Sequence, residues 1–247
     1  MKIIIERIKS FQDYLDIISK YSGNALFRGH SDGENWHLKS SLSRFIESNG
    51  SGILTQYGGW EKLENNLINR FKRKAFPYIG NHNFTDIDWL VLAQHYGLPT
   101  RLLDWTENPL VAIFFALIEK KNCESAIWII RPTYFDLYGT QLDEIKMIHA
   151  FYPNHSNKRI ISQKGCFTIE PFPKNNLLIQ GIDEHFDDYK DQIHNLIKVV
   201  IPNVTGLKED LLNKTMDLGV DFGFIFPDLE GLTRQIKFDI EKDRGLF

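Results

Sequence analysis

Thirteen consecutive residues, Gln94-His95-Tyr96-Gly97-Leu98-Pro99-Thr100-Arg101-Leu102-Leu103-Asp104-Trp105-Thr106, set a histidine, a tyrosine, an arginine, an aspartate, a tryptophan and two threonines around one glycine and one proline. They lead directly into an apolar stretch, residues 110–118. Donors and acceptors carried this close to a buried element must be paired or put to use, because burying them bare is costly. Two readings follow. The residues line a site, or they form a polar network that pins a helix–strand corner.

Further candidates lie elsewhere. Arg28 ends the apolar run Ala25-Leu26-Phe27 and precedes Gly29, so its fork is placed to give an anion or a ribose two parallel hydrogen bonds. A structural ion pair, for instance with Asp104, is the alternative. Arg159, Gln163 and Gly165 precede Phe167 in a third segment where the same choice recurs. Common machinery is missing from the sequence. It has no Gly-x-Gly-x-x-Gly, no Walker loop and no His-Glu-x-x-His. His149 and His155 stand six apart with no metal-ligand spacing around them, so no metal is expected.

These residues need elements to hold them. After a first strand, Ser10 and Asp13 are spaced as a capping box for a helix carrying Phe11, Tyr14, Leu15 and Ile18. Residues 25–29 read as a short buried strand, and 31–59 as loop with short helical pieces. Residues 60–76 form an amphipathic helix with Leu63, Leu67 and Phe71 on one face. Its Arg70, Lys72, Arg73 and Lys74 suit a solvated helix end better than a nucleic-acid patch. Thr85 and Asp88 open a helix whose buried face is Trp89, Leu92, Ala93 and Tyr96, and Gly97 closes it. Pro99 prevents continuation, so 100–103 turn extended, and Asn108-Pro109 start a helix that is apolar on every side. Strands are expected at 125–130, within 160–169, at 198–201 and at 222–226, and helices at 143–150, 184–197 and 210–218. Strands and helices mix without strict βαβ alternation. The class is therefore α+β, a mixed or antiparallel sheet flanked by helices, in a single domain over 1–247.

Bulk properties narrow the function. With 247 residues, 43% of them hydrophobic, the chain can bury a substantial core. A net charge of −3 gives no general attraction to nucleic acid or to anionic membranes. Two cysteines outside any paired motif, no signal-peptide pattern and no apolar run of membrane length lead to the expectation of a cytoplasmic protein without membrane partners.

Taken together, Phe27-Arg28-Gly29, the thirteen-residue motif with Asn108-Pro109-Leu110 and Phe115-Ala116 after it, and Gln163-Lys164-Gly165-Cys166-Phe167 are similar to the FRG domain family, named for its Phe-Arg-Gly signature. Residues 38–44 and 226–232 also resemble its pattern. The resemblance implies a bacterial or phage setting, with a role in defence or toxicity. A second resemblance, to ADP-ribosyltransferase-like folds, implies a split sheet around an NAD cleft. There Arg28-Gly29 matches the first strand. Residues 103–106, leading into 112–116, match the second, and Gln163 falls where the third offers its glutamate. Gln163 is a departure, since an amide can neither act as a base nor stabilise an oxocarbenium-like centre by charge. Asp104 or Glu170 would then have to serve.

The resemblance assigns catalysis to Arg28, His95, Asp104 and Gln163. It assigns substrate binding to Gly29, His30, Arg44, Tyr96, Arg101, Trp105, Thr106, Arg159 and Phe167. NAD is the implied substrate, with a protein or nucleic-acid target conceivable. The rival classes are a non-catalytic binding module for protein or nucleic acid, and a metal-independent nuclease using His95 and Arg101 around a phosphate.

Overall fold

A computed structural model of the chain describes residues 3–21, 23–79, 83–135, 142, 144–154, 158–173 and 181–242. Ser22, Asp143 and His155, on which parts of the sequence reading rest, lie outside them.

Among the described residues, seven strands form one mixed sheet: β1 (Ile4–Arg7), β2 (Leu26–His30), β3 (Leu102–Thr106), β4 (Ser125–Pro132), β5 (His149–Phe151), β6 (Gly165–Ile169) and β7 (Ile193–Ile201). Their order is β1-β7-β4-β2-β3-β6-β5, and only β1 and β7 pair in parallel. Helices cover the sheet: α1 (Phe11–Lys20), α2 (Ser41–Asn49), α3 (Gly52–Tyr57), α4 (Trp60–Ile79), α5 (Asp86–His95), α6 (Pro109–Leu117), α7 (Lys158–Ser162), α8 (Phe186–Tyr189), α9 (Leu207–Asp217), α10 (Phe222–Ile225) and α11 (Leu229–Glu241). The mixed sheet with flanking helices is the expected class. Among the described residues no helix is long and apolar enough to cross a membrane.

Several local signals act as their chemistry requires. Ser10 accepts from the Asp13 amide, and Thr85 forms a reciprocal capping box with Asp88. Gly97 sits at φ +82°, where its amide bonds Gln94 O and the Leu98 amide reaches back to Ala93 O. Asn108 Oδ1 accepts from the Leu110 amide and caps α6. Val111, Ala112, Ile113, Phe114 and Ala116 of that helix are all 0% exposed, so α6 is the central helix of the fold.

Four expectations are corrected. Residues 184–197 are not one helix: after the short α8 the chain extends into β7, which lies between β4 and β1 and must satisfy both ladders. Residues 222–226 are the helical turn α10, capped by Asp221, rather than a strand. Residues 144–150 hold no helix and end in β5. Tyr96 is not on the buried face of α5 but 69% exposed; Leu90, Val91 and Ala93 fill that face. The helix α11 has no counterpart among the expected elements.

The sheet is weakest at its middle. β2 and β3 share a single register pair, Phe27↔Thr106, and part beyond it. Side-chain alternation puts Phe27 and Gly29 on the face that α6 covers, and Leu26, Arg28 and His30 on the other. A Cβ on Gly29 would lie 2.0 Å from Ala112 O and 2.5 Å from Ala116 N, so a bare backbone is what lets α6 rest on β2. Both obstacles are backbone atoms and cannot rotate away. Gly29→Ala is therefore expected to cost about 3 kcal/mol or more; an unchanged urea midpoint would refute this close-contact account.

Candidate functional site

Where β2 and β3 part, a cavity of about 450 Å³ opens, within the range of small-ligand sites. Its lining mixes apolar walls (Phe27, Val111, Phe115, Phe226) with Gln94, His95, Asp104, Arg159 and Gln163. The cleft thus gathers Arg28, His95, Asp104, Gln163 and Arg159 from β2, α5, β3, the turn after α7, and α7. All four residues assigned to catalysis lie in it.

Arg28 occupies the gap itself. Its Nη1 donates to Asp104 O at 2.6 Å, standing in for a ladder bond that the diverging backbones do not make, and lies 3.6 Å from Asp104 Oδ2. Its Nε donates to His30 Nε2 at 3.0 Å. Since Nε–H can only donate, His30 Nε2 must be bare. The ring proton is then on Nδ1, directed to Trp36 O at 3.2 Å. Burial, and next the Arg28 charge, hold the His30 pKa well below the usual histidine value. His30 is thus a fixed neutral acceptor, 3% exposed and outside the cleft lining, that aims Arg28.

Asp104 is oriented from its other side. Gln94 Nε2 donates to Asp104 Oδ1 at 2.9 Å, while Gln94 Oε1 accepts from the Thr100 hydroxyl. Thr100, Gln94, Asp104, Arg28, His30 and the Trp36 carbonyl form one continuous hydrogen-bond chain. Gln94 and Thr100 stood inside the motif without a role. The signal for His30 was its i, i+2 relation to Arg28, which places both side chains on one face of a strand.

The opposite wall is tied down as well. Arg159 Nη2 lies 2.6 Å from Asp228 Oδ2 and 2.9 Å from Glu230 Oε2, and its guanidinium stands 5.1 Å from the Phe226 ring. Gln163 Nε2 donates to Ile225 O at 3.0 Å, which fastens α10 beside the cleft. Burial, then the nearby Arg159 charge, lower the His95 pKa and favour a neutral imidazole.

Other assigned residues are placed differently. Arg101 is 1% exposed and outside the cleft; its Nε meets Glu64 Oε2 at 3.1 Å, its Nη2 donates to Leu142 O, and Phe172 stacks on its guanidinium. It is a core ion pair, held by a carboxylate 37 positions earlier in the chain. Trp105 reaches the lining but is 3% exposed and donates Nε1 to Thr168 Oγ1, so it packs the sheet. Phe167 likewise stacks on Phe151. Thr106 donates to Gln163 O and accepts from the Asn108 amide, locking the β3–α6 corner. Tyr96 is absent from the lining, whereas Gly29 is part of it and also carries the α6 contact. Arg44 is outside the lining, donates to Lys39 O, and lies close enough to Asp104 and Arg28 for their charges to act on one another. Glu170 is 2% exposed and is not part of the lining; burial pushes its pKa up to about 8, which makes it a neutral core acid rather than a cleft carboxylate.

An α+β sheet parted around an arginine-centred cleft is the class that fold and geometry define. Residues 23–125 match the family model of the FRG domain. The matched span holds Arg28, His30, Gln94, Asp104 and α6, whereas Arg159, Gln163 and Phe226 come from later in the chain. Comparison with the curated proteins and with the solved structures gives no match.

His30 yields a signed pH prediction. With its folded pKa below the unfolded one, the unfolded chain binds the proton more readily, so this residue's contribution is complete above the ordinary histidine pKa of about 6.5 and is lost as pH falls below it. Between pH 7 and 5 the wild type should lose more stability in urea than His30→Gln, which can still accept from Arg28 without titrating. Parallel pH profiles for the two proteins would contradict the neutral-acceptor role.

Proposed function

We propose that the cleft binds NAD or a closely related nucleotide, and that the protein acts on it as an ADP-ribosyltransferase-like enzyme or an NAD glycohydrolase. The observation that carries this reading is Arg28, held in the gap between two parting strands by a neutral histidine on one side and Asp104 on the other. A guanidinium so constrained can meet a phosphate or a ribose with little further loss of freedom. The apolar walls at Phe27, Val111 and Phe115 suit a planar ring.

In this reading the bond from the ribose anomeric carbon to nicotinamide breaks, with its electrons leaving on nicotinamide. Water or an acceptor nucleophile then takes the carbon. Asp104, 59% exposed at its side chain and oriented by Gln94, is the carboxylate available to face the developing positive charge. Gln163 and Thr106 shape the far side, and His95 donates to the ligand or relays a proton. A role in phage defence or toxicity belongs to the same proposal and rests on the family resemblance alone.

The rival readings find less support. A nuclease built on His95 and Arg101 loses Arg101 to its buried pair with Glu64. The basic residues of α4 do not line the cleft, and Lys72 is paired with Asp86.

Calorimetry with NAD and ADP-ribose, and with a short RNA as comparison, tests the proposal. Saturable NAD binding is expected, weakened at least about tenfold in Arg28→Ala, that is by about 1.4 kcal/mol, with circular dichroism unchanged. Asp104→Asn should bind NAD but release no nicotinamide. Binding of RNA alone, with a steep salt dependence, would reject the nucleotide reading.

A further inference from the structure

The sheet face opposite α6 carries a second concentration of charge. In register across three strands, Arg28 of β2 pairs with Trp128 of β4, and Trp128 pairs with Lys198 of β7. Directly opposed residues share a face, so the guanidinium, the indole and the ammonium form one row. Lys198 Nζ stands 5.1 Å from the Trp128 ring centroid. Arg44 of α2 lies close enough to Arg28 and His30 for its charge to bear on both, and the charges of Arg28 and Lys198 also bear on His30. The balancing carboxylates among the described residues are Asp104, acting on Arg28 and Arg44, and Glu47, acting on Arg44 and already 2.8 Å from Lys39. Lys198 has no carboxylate within ion-pair distance among them.

Two donors at this place are unspent. Arg28 commits Nε and Nη1 to His30 and Asp104, and its Nη2 has no protein partner among the described residues. Trp128, 2% exposed, buries an Nε1–H that has no hydrogen-bond partner among the described residues. A buried donor without an acceptor is uncommon enough to require an explanation. Arg28 and Lys198 stand two strand spacings apart, about 10 Å between Cα atoms. That is too wide for one carboxylate to bridge with both side chains extended, and well suited to a group with several charged oxygens in sequence.

We infer that Arg28, Arg44 and Lys198 form an anion site over Trp128 for the diphosphate of a nucleotide, with Arg28 shared between this site and the cleft. The inference rests on the cleft reading for the ligand-facing role of Arg28 and adds Lys198 and Trp128, which the family resemblance leaves unassigned.

The test is calorimetry on the full chain with inorganic pyrophosphate, ADP and NAD in turn. Lys198→Met keeps the aliphatic stem on Trp128 and removes the charge. It is expected to weaken pyrophosphate about tenfold, whereas Lys198→Arg retains most of the affinity. Arg44→Gln supplies the same comparison should the methionine variant fail to fold, as judged by circular dichroism. Pyrophosphate that does not bind the wild type at millimolar concentration overturns the inference, as does equal affinity in the charge-removing variants and the wild type. NAD binding that depends on Arg28 but not on Lys198 overturns the anion site and leaves the cleft reading standing. Lys198-dependent binding of pyrophosphate with no binding of NAD does the reverse.

Discussion

The donation from Arg28 to the Asp104 carbonyl is the contact around which the rest of the structure is arranged. Two strands that stop pairing in the middle of a sheet expose backbone groups that must be satisfied elsewhere. A charged side chain meets that need, and the charge then requires its own surroundings. His30 accepts one N–H, Asp104 supplies the opposing charge, Gln94 holds Asp104, and Thr100 holds Gln94. Burial weighs against the arginine's charge and the carboxylate offsets it. The outcome is a polar line through the protein, bounded on one side by the fully apolar α6.

That boundary fixes how function and stability divide the thirteen-residue motif. Gly97, Thr106 and Asn108 set the two corners, Leu102, Leu103 and Trp105 fill the sheet, and Arg101 neutralises Glu64 in the core. Only Gln94, His95 and Asp104 are left to work in the cleft, with Thr106 contributing to its edge. Site and corner, which looked like alternatives in the sequence, are both built from this one segment, across the end of α5, the turn at Gly97 and β3.

Much of this was legible because the signals are local. The caps Ser10, Thr85 and Asn108, the left-handed Gly97 and the apolar 110–118 stretch each determine their own neighbourhood. What could not be read depended on distant chain. Phe186, Tyr189, Ile193, Leu196 and Ile197 keep helical spacing, yet β7 is a strand because β1 and β4 claim its backbone. Residues 222–226 are too short for periodicity to separate helix from strand, and the cap at Asp221 was the better guide. Arg28 and Arg101 are alike in sequence. Only the fold shows that Glu64 waits for one and His30 for the other. The class of fold was therefore accessible, whereas the sequence could not separate the residues that line the cleft from His30, Arg44, Tyr96 and Arg101, which do not.

The single Phe27↔Thr106 pair has a mechanical consequence. Every other neighbouring pair of strands is joined by at least three registered residues. The sheet is thus two stiff blades riveted at one point, β1-β7-β4-β2 with α6 bearing on it through Gly29, and β3-β6-β5. Arg28 spans the gap by its bond to Asp104 O, so a group that met its guanidinium would bear on both blades at once.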